Sequence, residues 1–247
     1  MTSGAPAKPK TGFEKWQDTV NSAANSPDWD VYDCEIQKAT IEFNHHLADT
    51  PGYMPLDWQL VKAMAWVETG AASPSWKSNL LQIGNPGDPG LAALLSDKEG
   101  GELILPSNLR PTLTFASATT MPAFNIRAAI GYLLMRAANY AIKNVPDADT
   151  KTYEVKVKPG DSLDKISRHN GTTVETLRRL NPTTGILHPG DNLKYQKAAM
   201  KKVIVGWKPL TTASIATAYN VGDSMYAKKL DYVLGILKQK KAVVCAQ

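Results

Sequence analysis

The 247-residue sequence has only two cysteines and four histidines, and it contains no long apolar run. Cys34 and Cys245 are too few for a disulfide-stabilised scaffold, so a single bridge and two free thiols both remain open. The histidines, including His45 and His46, lack the spacing of a zinc site, and we expect neither a metal nor another cofactor. Because no stretch reaches the roughly 18 consecutive apolar residues of a membrane-spanning helix, we also expect no membrane insertion.

Charge is unevenly distributed along the chain. Between Lys151 and Lys202 there are eleven Lys and Arg but only five Asp and Glu, whereas the remainder is close to neutral. A local excess of this kind indicates a separate module. Segments 145–152 and 196–202 have the composition of linkers, and residues 1–12, rich in Pro, Ala, Gly and Lys, predict a flexible tail.

The pattern of the basic module predicts a strand, two short helices and a second strand. Apolar and polar residues alternate over 153–158, as in a half-buried strand, and Asp161 can cap the helix that follows. The capping-box pattern at 172–175 opens the second helix, Asn181-Pro182 ends it, and Lys194-Tyr195 forms the second strand.

This module resembles LysM, a small fold that binds glycans containing N-acetylglucosamine. The matching strings are Tyr153-Glu-Val-Lys-Val-Lys-Pro-Gly-Asp-Ser-Leu163, Val174-Glu-Thr-Leu-Arg-Arg-Leu-Asn-Pro182 and Leu187-His-Pro-Gly-Asp-Asn-Leu193. The resemblance implies that sugar binds between the loop after the first strand and the loop before the second. The residues implicated are Gly160, Asp161, Ser162, Leu163, Asn181, Pro182 and Ile186. Helix capping and helix termination are the alternative roles for Asp161 and for Asn181-Pro182.

Outside the module the pattern is helical. A helix is predicted to begin near Leu56-Asp57, with an apolar face of Leu60, Val61, Met64 and Val67. Glu68 falls on the same face, where loss of solvation raises the pKa of a carboxyl group and makes it a usable proton donor near neutral pH. The alternative is an exposed glutamate with no chemical role.

Further helices are predicted from Phe124, over Thr212–Tyr219 and over Ser224–Lys238. The first of them has an apolar face of Ile126, Ala129, Ile130, Leu133 and Leu134. The last has a buried stripe of Tyr226, Leu230, Val233 and Leu237.

Five strings outside the module occur in the order found in lysozyme-like lytic transglycosylases of the soluble type, and the chain resembles that family. They are Val61-Lys-Ala-Met-Ala-Trp-Val-Glu-Thr-Gly70, Asn79-Leu-Leu-Gln-Ile83, Asn125-Ile-Arg-Ala-Ala-Ile-Gly-Tyr-Leu133, Ala218-Tyr-Asn-Val-Gly222 and Tyr232-Val233. The chain departs from the family pattern at Thr69, where Ser is usual, at Asn79-Leu80 and at Val221.

The resemblance implies a mechanism with Glu68 as the one catalytic carboxylate. Glu68 would protonate the oxygen between N-acetylmuramic acid and N-acetylglucosamine, and would then act as base on the muramyl 6-hydroxyl, which closes on C1 to give a 1,6-anhydro product. Substrate-binding roles are implied for Thr69, Gln82, Ile83, Tyr219, Asn220 and Tyr232, with Tyr232 orienting the Glu68 carboxyl.

The expected fold class is α+β. A mainly α, lysozyme-like catalytic domain of residues 13–150 and 198–247 is interrupted by a small βααβ LysM domain of residues 151–197. Both terminal elements of the insert are strands, so its ends should be neighbours, which makes such an insertion physically easy.

Three other functions compete with this interpretation. Asp57, Asp88 or Asp97 would be the second carboxylate of a hydrolytic muramidase, and the spacing selects none of them. A non-catalytic peptidoglycan-binding protein would have the same modules. Nucleic-acid binding is not favoured, because only Tyr153 and Tyr195 flank the basic run and no Gly-rich phosphate loop is present. We interpret the positive charge as a face attracted to the anionic cell wall.

The first residues lack the apolar core of a secretory signal. We therefore expect a monomer that is made in the cytoplasm without a cleavable signal and acts on peptidoglycan glycan strands in the periplasm or cell wall of a target bacterium. An antibacterial effector toxin delivered by type VI secretion, with an immunity protein as inhibitor, is favoured over a phage lysis factor. In that setting the oxidising periplasm favours a Cys34–Cys245 bridge.

Overall fold

The computed structural model describes residues 9–147, 151–183, 185–240 and 245. The chain forms two compact units, which we call unit 1 (residues 1–139 and 206–247) and unit 2 (residues 140–205). Unit 2 extends on both sides of the predicted module 151–197. The mixture of helices and two small sheets is consistent with the α+β class.

Unit 1 is helical. Its α-helices are α1 (Gly12–Ala23), α2 (Asp33–Leu47), α3 (Trp58–Glu68), α4 (Gly90–Leu95), α5 (Gly101–Ile104), α6 (Phe115–Thr120), α7 (Pro122–Ala137), α10 (Thr212–Ala218) and α11 (Tyr226–Leu237). Two 3₁₀ helices lie at Pro27–Trp29 and Pro74–Lys77. Within the described ranges, no helix has the length and apolar character needed to cross a bilayer.

Helix α3 lies in the core of unit 1 and begins and ends where local chemistry requires. The Asp57 carboxylate caps it by accepting from the Gln59 backbone N–H at 2.9 Å. It ends because Gly70 adopts a left-handed conformation at φ +68°, and a side chain at this position would overlap the Trp29 ring. Leu60, Val61 and Met64 are buried, as helical spacing predicted.

Helices α2 and α11 pack against α3, and α7 packs against α2. Proline stands at the first turn of α7, where the missing N–H is not needed, and the predicted apolar face of this helix is buried. Helix α11 packs against α3 through its predicted stripe of Tyr226, Leu230, Val233 and Leu237.

The predicted flexible tail 1–12 is wrong at its end. Thr11 caps α1 and forms a capping box with Glu14, so that Gly12 is already helical. The rest of this prediction, residues 1–8, lies outside the described residues.

A disulfide and a buried ion cluster connect distant parts of unit 1. Cys34, at the start of α2, is bonded to Cys245, with Cα atoms 5.4 Å apart. The buried Lys62 ammonium of α3 contacts Asp30 at 2.6 Å and Asp33 at 2.6 Å. Lys240, after α11, contacts Asp30 at 2.8 Å.

Unit 2 contains the predicted order of strand, helix, helix and strand: β2 (Thr152–Lys156), α8 (Leu163–His169), α9 (Val174–Leu180) and β3 (Asn192–Gln196). Strands β2 and β3 are antiparallel, with Val155 opposite Leu193. A small core of Val157, Ile166, Leu177 and Leu193 lies beneath them. The N-cap of α8 is Ser162, which accepts from the Lys165 N–H at 3.2 Å, and not Asp161 as predicted.

The predicted linker 196–202 is largely strand, whereas the described residues of 145–152 are strand only at 145–146 and 152, and 148–150 lie outside the described residues. β1 (Ala138–Pro146) follows α7 directly and pairs with β4 (Ala198–Trp207) in a two-stranded sheet. Small and basic residues dominate the segment 196–202, and pairing with a distant strand overrides its linker-like composition.

Candidate active site

The end of α3 is tied to the turn that follows. Glu68 is the last residue of the helix, and the next residue, Thr69, donates its hydroxyl to the Leu80 carbonyl at 2.9 Å. Thr69 therefore fixes the helix end against the segment 79–83, which contains Gln82. The Thr69 hydroxyl thus has a structural partner, and Thr69 is not among the residues that line the cleft.

A network of asparagine side chains holds this segment in place. Asn125 of α7 is fully buried, accepts from the Leu81 N–H at 2.9 Å and donates to the Asn79 side-chain oxygen at 2.6 Å. Asn79 donates in turn to Asn85 at 2.8 Å. Gln82 adopts φ +51°, a left-handed conformation that is uncommon outside glycine and is found at functional sites.

Two residues that follow α10 form the opposite wall. The Tyr219 hydroxyl donates to the Leu81 carbonyl at 2.7 Å, and its ring packs edge-on against Tyr132 at 5.8 Å between centroids. The Asn220 amide donates to the Glu68 carboxylate at 3.4 Å. Residues 152 positions apart in the chain therefore meet at one carboxyl group.

These segments enclose a cleft of about 400 Å³. The residues that line it are Glu68, Gln82, Ile83, Asn85, Asp88, Tyr132, Tyr219 and Asn220. Of the catalytic and substrate-binding residues predicted from the sequence, the structure brings together Glu68, Gln82, Ile83, Tyr219 and Asn220.

The environment of Glu68 favours its protonated form. Burial raises the pKa of this carboxyl above its usual value, against the opposing effects of Tyr226 and Asn220, which offer hydrogens to the charged form. The nearby Asp223 raises the pKa further and Lys229 lowers it. A carboxyl that has a raised pKa and opens into a cleft can act as a general acid.

The structure does not bring Tyr232 to Glu68. The Tyr232 hydroxyl donates to Asn21 of α1 at 2.9 Å. Tyr226 of the same helix takes the place beside Glu68. Its hydroxyl is buried and completes no well-oriented hydrogen bond with any described residue, but it lies close enough to lower the pKa of the Glu68 carboxyl. Burial and the Glu68 charge in turn raise the pKa of Tyr226, so the phenol remains protonated.

The three aspartates considered as a second carboxylate lie in different places. Asp57 caps α3, and Asp97 pairs with Arg110 at 2.7 Å. Asp88 lines the Glu68 cleft, where its two oxygens accept from the Gly84 and Gly90 N–H groups at 3.0 and 2.8 Å. In the described part of the chain, no group of three or more His, Cys, Asp or Glu side chains could hold a metal ion.

The predicted glycan-binding residues of unit 2 lie in two loops, and several of them have structural contacts. Asp161 accepts from the Lys158 N–H at 2.8 Å, and Gly160 occupies a left-handed turn at φ +79°. Asn181 donates to the Lys194 carbonyl at 2.7 Å and accepts from the Lys194 N–H at 2.9 Å. Asn181 thus joins α9 to β3.

The other members of this group keep surface available for a ligand. Pro182 is exposed, Leu163 packs partly against the small core, and Ser162 caps α8. Ile186 is 76% exposed and presents an apolar surface to solvent.

Comparison with known protein families identifies unit 2. Residues 155–194 match the family model of the LysM domain. The chain therefore contains a peptidoglycan-binding module, which implies binding to peptidoglycan glycan chains. A search of curated proteins and a search of solved structures each gave no significant match. The LysM match does not extend to unit 1, where the lytic transglycosylase resemblance remains a prediction that rests on its motifs.

Proposed function

We propose that unit 1 cleaves the glycan strands of peptidoglycan as a lytic transglycosylase, with Glu68 as the catalytic residue. The observation that carries the proposal is a partly buried carboxyl with a raised pKa at a cleft lined by amide and phenol groups. Glu68 forms no ion pair with any described residue, and buried carboxyls without such a partner are uncommon outside functional sites. The LysM domain supports the same substrate, because a binding module on the chain raises the local concentration of the polymer.

The proposed reaction uses one carboxyl group in two steps. Protonated Glu68 donates its proton to the oxygen that leaves with N-acetylglucosamine, and the bond from that oxygen to muramyl C1 breaks. The resulting Glu68 carboxylate accepts the proton of the muramyl 6-hydroxyl, whose oxygen bonds to C1 and forms the 1,6-anhydro ring. The proton balance closes without water, and Glu68 returns to its protonated state.

Neutral side chains around Glu68 fit this cycle. Asn220 and Tyr226 can donate to the carboxylate that exists between the two steps without carrying a charge that would hold the group ionised beforehand. Gln82 and Tyr219 lie at the wall where the saccharide would bind. We therefore assign Tyr226 the positioning role that the sequence predicted for Tyr232.

Digestion of purified sacculi tests the proposal. The wild type should clear a suspension, and Glu68→Gln should lose at least about 100-fold of the rate, because general acid catalysis contributes at least that much. Glu99→Gln is the matched control, since Glu99 is exposed and lies outside the cleft. Binding without clearing by the wild type would instead identify a non-catalytic peptidoglycan-binding protein.

A hydrolytic muramidase is the second candidate, because Asp88 lines the same cleft as Glu68. Mass spectrometry of the products separates the two reactions: the anhydro product is lighter than the hydrolysed one by one water. Asp88→Asn keeps an acceptor oxygen and should leave a transglycosylase active. A reducing muramic end, together with inactivity of Asp88→Asn, would establish hydrolysis in its place.

The role of Tyr226 has its own test in the pH profile. Tyr226→Phe removes a donor that lowers the pKa of Glu68, so this pKa should rise. Since activity requires protonated Glu68, the decline of kcat/KM at high pH should move to higher pH. Tyr232→Phe makes the same chemical change on the same helix and should leave the profile in place. An unchanged profile for Tyr226→Phe would show that its hydroxyl does not act on Glu68.

We also propose that the chain acts in an oxidising compartment, as an antibacterial effector that reaches the periplasm of a target bacterium. The Cys34–Cys245 disulfide supports this setting, because such bonds persist outside the reducing cytoplasm. An immunity protein that fills the Glu68 cleft would protect the producer. Directing the chain to the periplasm of a Gram-negative host should cause lysis that Glu68→Gln abolishes, whereas survival of cells producing the active chain there would contradict the proposal.

A further inference from the structure

A groove of about 560 Å³ lies between β2 and α8 of unit 2. We call it the cationic groove. Lys156 and Lys158 line it from the strand and the turn after it, and Lys165, Arg168 and His169 line it from the helix. The neighbouring apolar side chains belong to the small core of the unit, so the position of the groove is set by the fold.

The positive charges of the groove are only partly neutralised by their neighbours. Lys156 and Lys158 form no ion pair with any described residue. Lys165 donates to the Gly160 carbonyl at 2.8 Å, which leaves its charge uncompensated, and Arg168 pairs with Asp164. The acid within the groove is Asp161, whose carboxylate accepts the Lys158 N–H. The groove therefore retains an excess of positive charge.

This excess is concentrated in unit 2. Between Tyr140 and Val205 there are twelve Lys and Arg and seven Asp and Glu, whereas the rest of the chain has equal numbers of the two. A concave surface that carries one sign of charge attracts ligands of the opposite sign. The chemistry to be expected is that of a carboxylate or a phosphate.

The groove adjoins the turn that the LysM resemblance implicates in glycan binding. Asp161 belongs to both, and the Lys165 ammonium contacts the carbonyl of Gly160. Peptidoglycan strands carry acidic stem peptides on their muramyl residues, so the anionic groups nearest to a bound glycan are peptide carboxylates. We propose that the cationic groove binds the carboxylates of the peptidoglycan stem peptides while the adjoining loops hold the sugar.

This proposal rests on the LysM domain and is independent of cleavage by unit 1. The experiment therefore uses the full chain with Glu68→Gln, which preserves the walls, and measures sedimentation with purified sacculi at low salt. Lys156→Gln combined with Lys165→Gln should weaken binding about fivefold, as expected for two exposed charge contacts of ordinary strength. Arg178→Gln combined with Lys201→Gln removes the same charge from unit 2 outside the groove and should change affinity less than about twofold.

Chemically altered walls identify the ligand. When the wall carboxyls are amidated, the wild-type groove and the double glutamine variant should bind equally. Removal of teichoic acid from Gram-positive walls with hydrofluoric acid should leave their difference intact. Lys156→Arg combined with Lys165→Arg should retain binding, since the charges are preserved, and circular dichroism should show that all variants are folded.

Four outcomes would overturn the proposal. An equal loss of affinity in the two glutamine double variants would mean that the groove contributes only general electrostatic attraction. If the wild-type groove still binds amidated walls more tightly than the Lys156→Gln, Lys165→Gln variant does, carboxylates are excluded as the ligand. A difference that disappears with the teichoic acid would assign the groove to phosphate. If no variant binds sacculi, including the Glu68→Gln chain with an unchanged groove, peptidoglycan binding by the LysM domain is refuted, and so is this proposal.

Discussion

Replacing both Cys34 and Cys245 with alanine should destabilise unit 1 by about 5 kcal/mol. The bond joins positions 211 residues apart, and in the chain-entropy description such a cross-link removes disorder from the unfolded state in proportion to the logarithm of the loop length. If unit 2 remains folded while unit 1 unfolds, the flexible part of the loop is shorter, but the logarithm changes the result by only about 0.3 kcal/mol. The expected loss is comparable to the whole stability of many domains, about 5–15 kcal/mol.

Tryptophan fluorescence during guanidinium denaturation measures this effect on unit 1 alone, because all six tryptophans lie in that unit. The transition midpoint of the double variant should fall by roughly 1 M or more. Wild-type protein unfolded in the presence of dithiothreitol provides the control, since it has the same chain topology without the substitutions.

A loss below about 1 kcal/mol, with the bond shown to be formed by thiol titration, would contradict this reasoning. It would mean that the unfolded chain is already compact around these residues, or that the closed bond strains the native fold. A loss in the variant that reduced wild type does not reproduce would point to packing of the substituted side chains in place of the cross-link.

Three more predictions concern α3 and its surroundings. Burial raises the pKa of Glu68, so the folded state binds the proton of this carboxyl more tightly than the unfolded state does. The contribution of Glu68 to stability therefore falls as pH rises from the usual glutamate pKa through the raised one. Glu68→Gln should be more stable than the wild type in thermal melts at pH 8 but not at pH 4. Lys62→Met should cost about 3–5 kcal/mol in urea unfolding at pH 7, because two carboxylates lose their buried partner, and the cost should shrink on acidification. Gly70→Ala should cost about 2 kcal/mol or more in the same assay, since it combines a left-handed backbone with overlap on Trp29, whereas Gly87→Ala, with open space around it, should cost only the backbone term of about 1 kcal/mol.

Periodicity predicted the parts of the site that lie on one helix. The recurrence of apolar residues in α3 placed Glu68 on the buried face, and the same reasoning gave the stripe of α11. Gln82 lies on one segment outside α3, and the adjacent residues Tyr219 and Asn220 lie on another. Only the resemblance to lytic transglycosylases predicted that these residues line the same cleft as Glu68. No pattern within a segment specifies which distant segment it will contact.

Of the two tyrosines of α11, Tyr226 lies beside Glu68, and not Tyr232 as the family resemblance implies. Tyr226 and Tyr232 are six positions apart, which places them about 120° apart around a helix. Apolar periodicity places Tyr226 on the buried stripe of this helix. A buried phenol needs a polar neighbour, and a buried carboxyl needs a donor, so the presence of Tyr226 on that stripe was a usable signal.

Amino-acid composition is a poor guide to secondary structure at the edges of the modules. The capping-box spacing of Thr11 and Glu14 was present in the sequence, but the proline- and alanine-rich start suggested a tail. Strands β1 and β4 acquire their structure by pairing with each other across the whole LysM segment. Such long-range pairing leaves only a weak signal in either strand.

The interruption of unit 1 by unit 2 sets the order in which the cleft can assemble during synthesis. Glu68 and Asn220 are separated by 152 positions, so at roughly 5–20 residues per second the ribosome delivers the second wall of the cleft roughly 8–30 seconds after Glu68. The LysM segment is translated completely within that interval. A nascent chain thus has its complete LysM module before it has a finished cleft, and a product that terminates between β3 and Asn220 contains that module but lacks Asn220 and Tyr226.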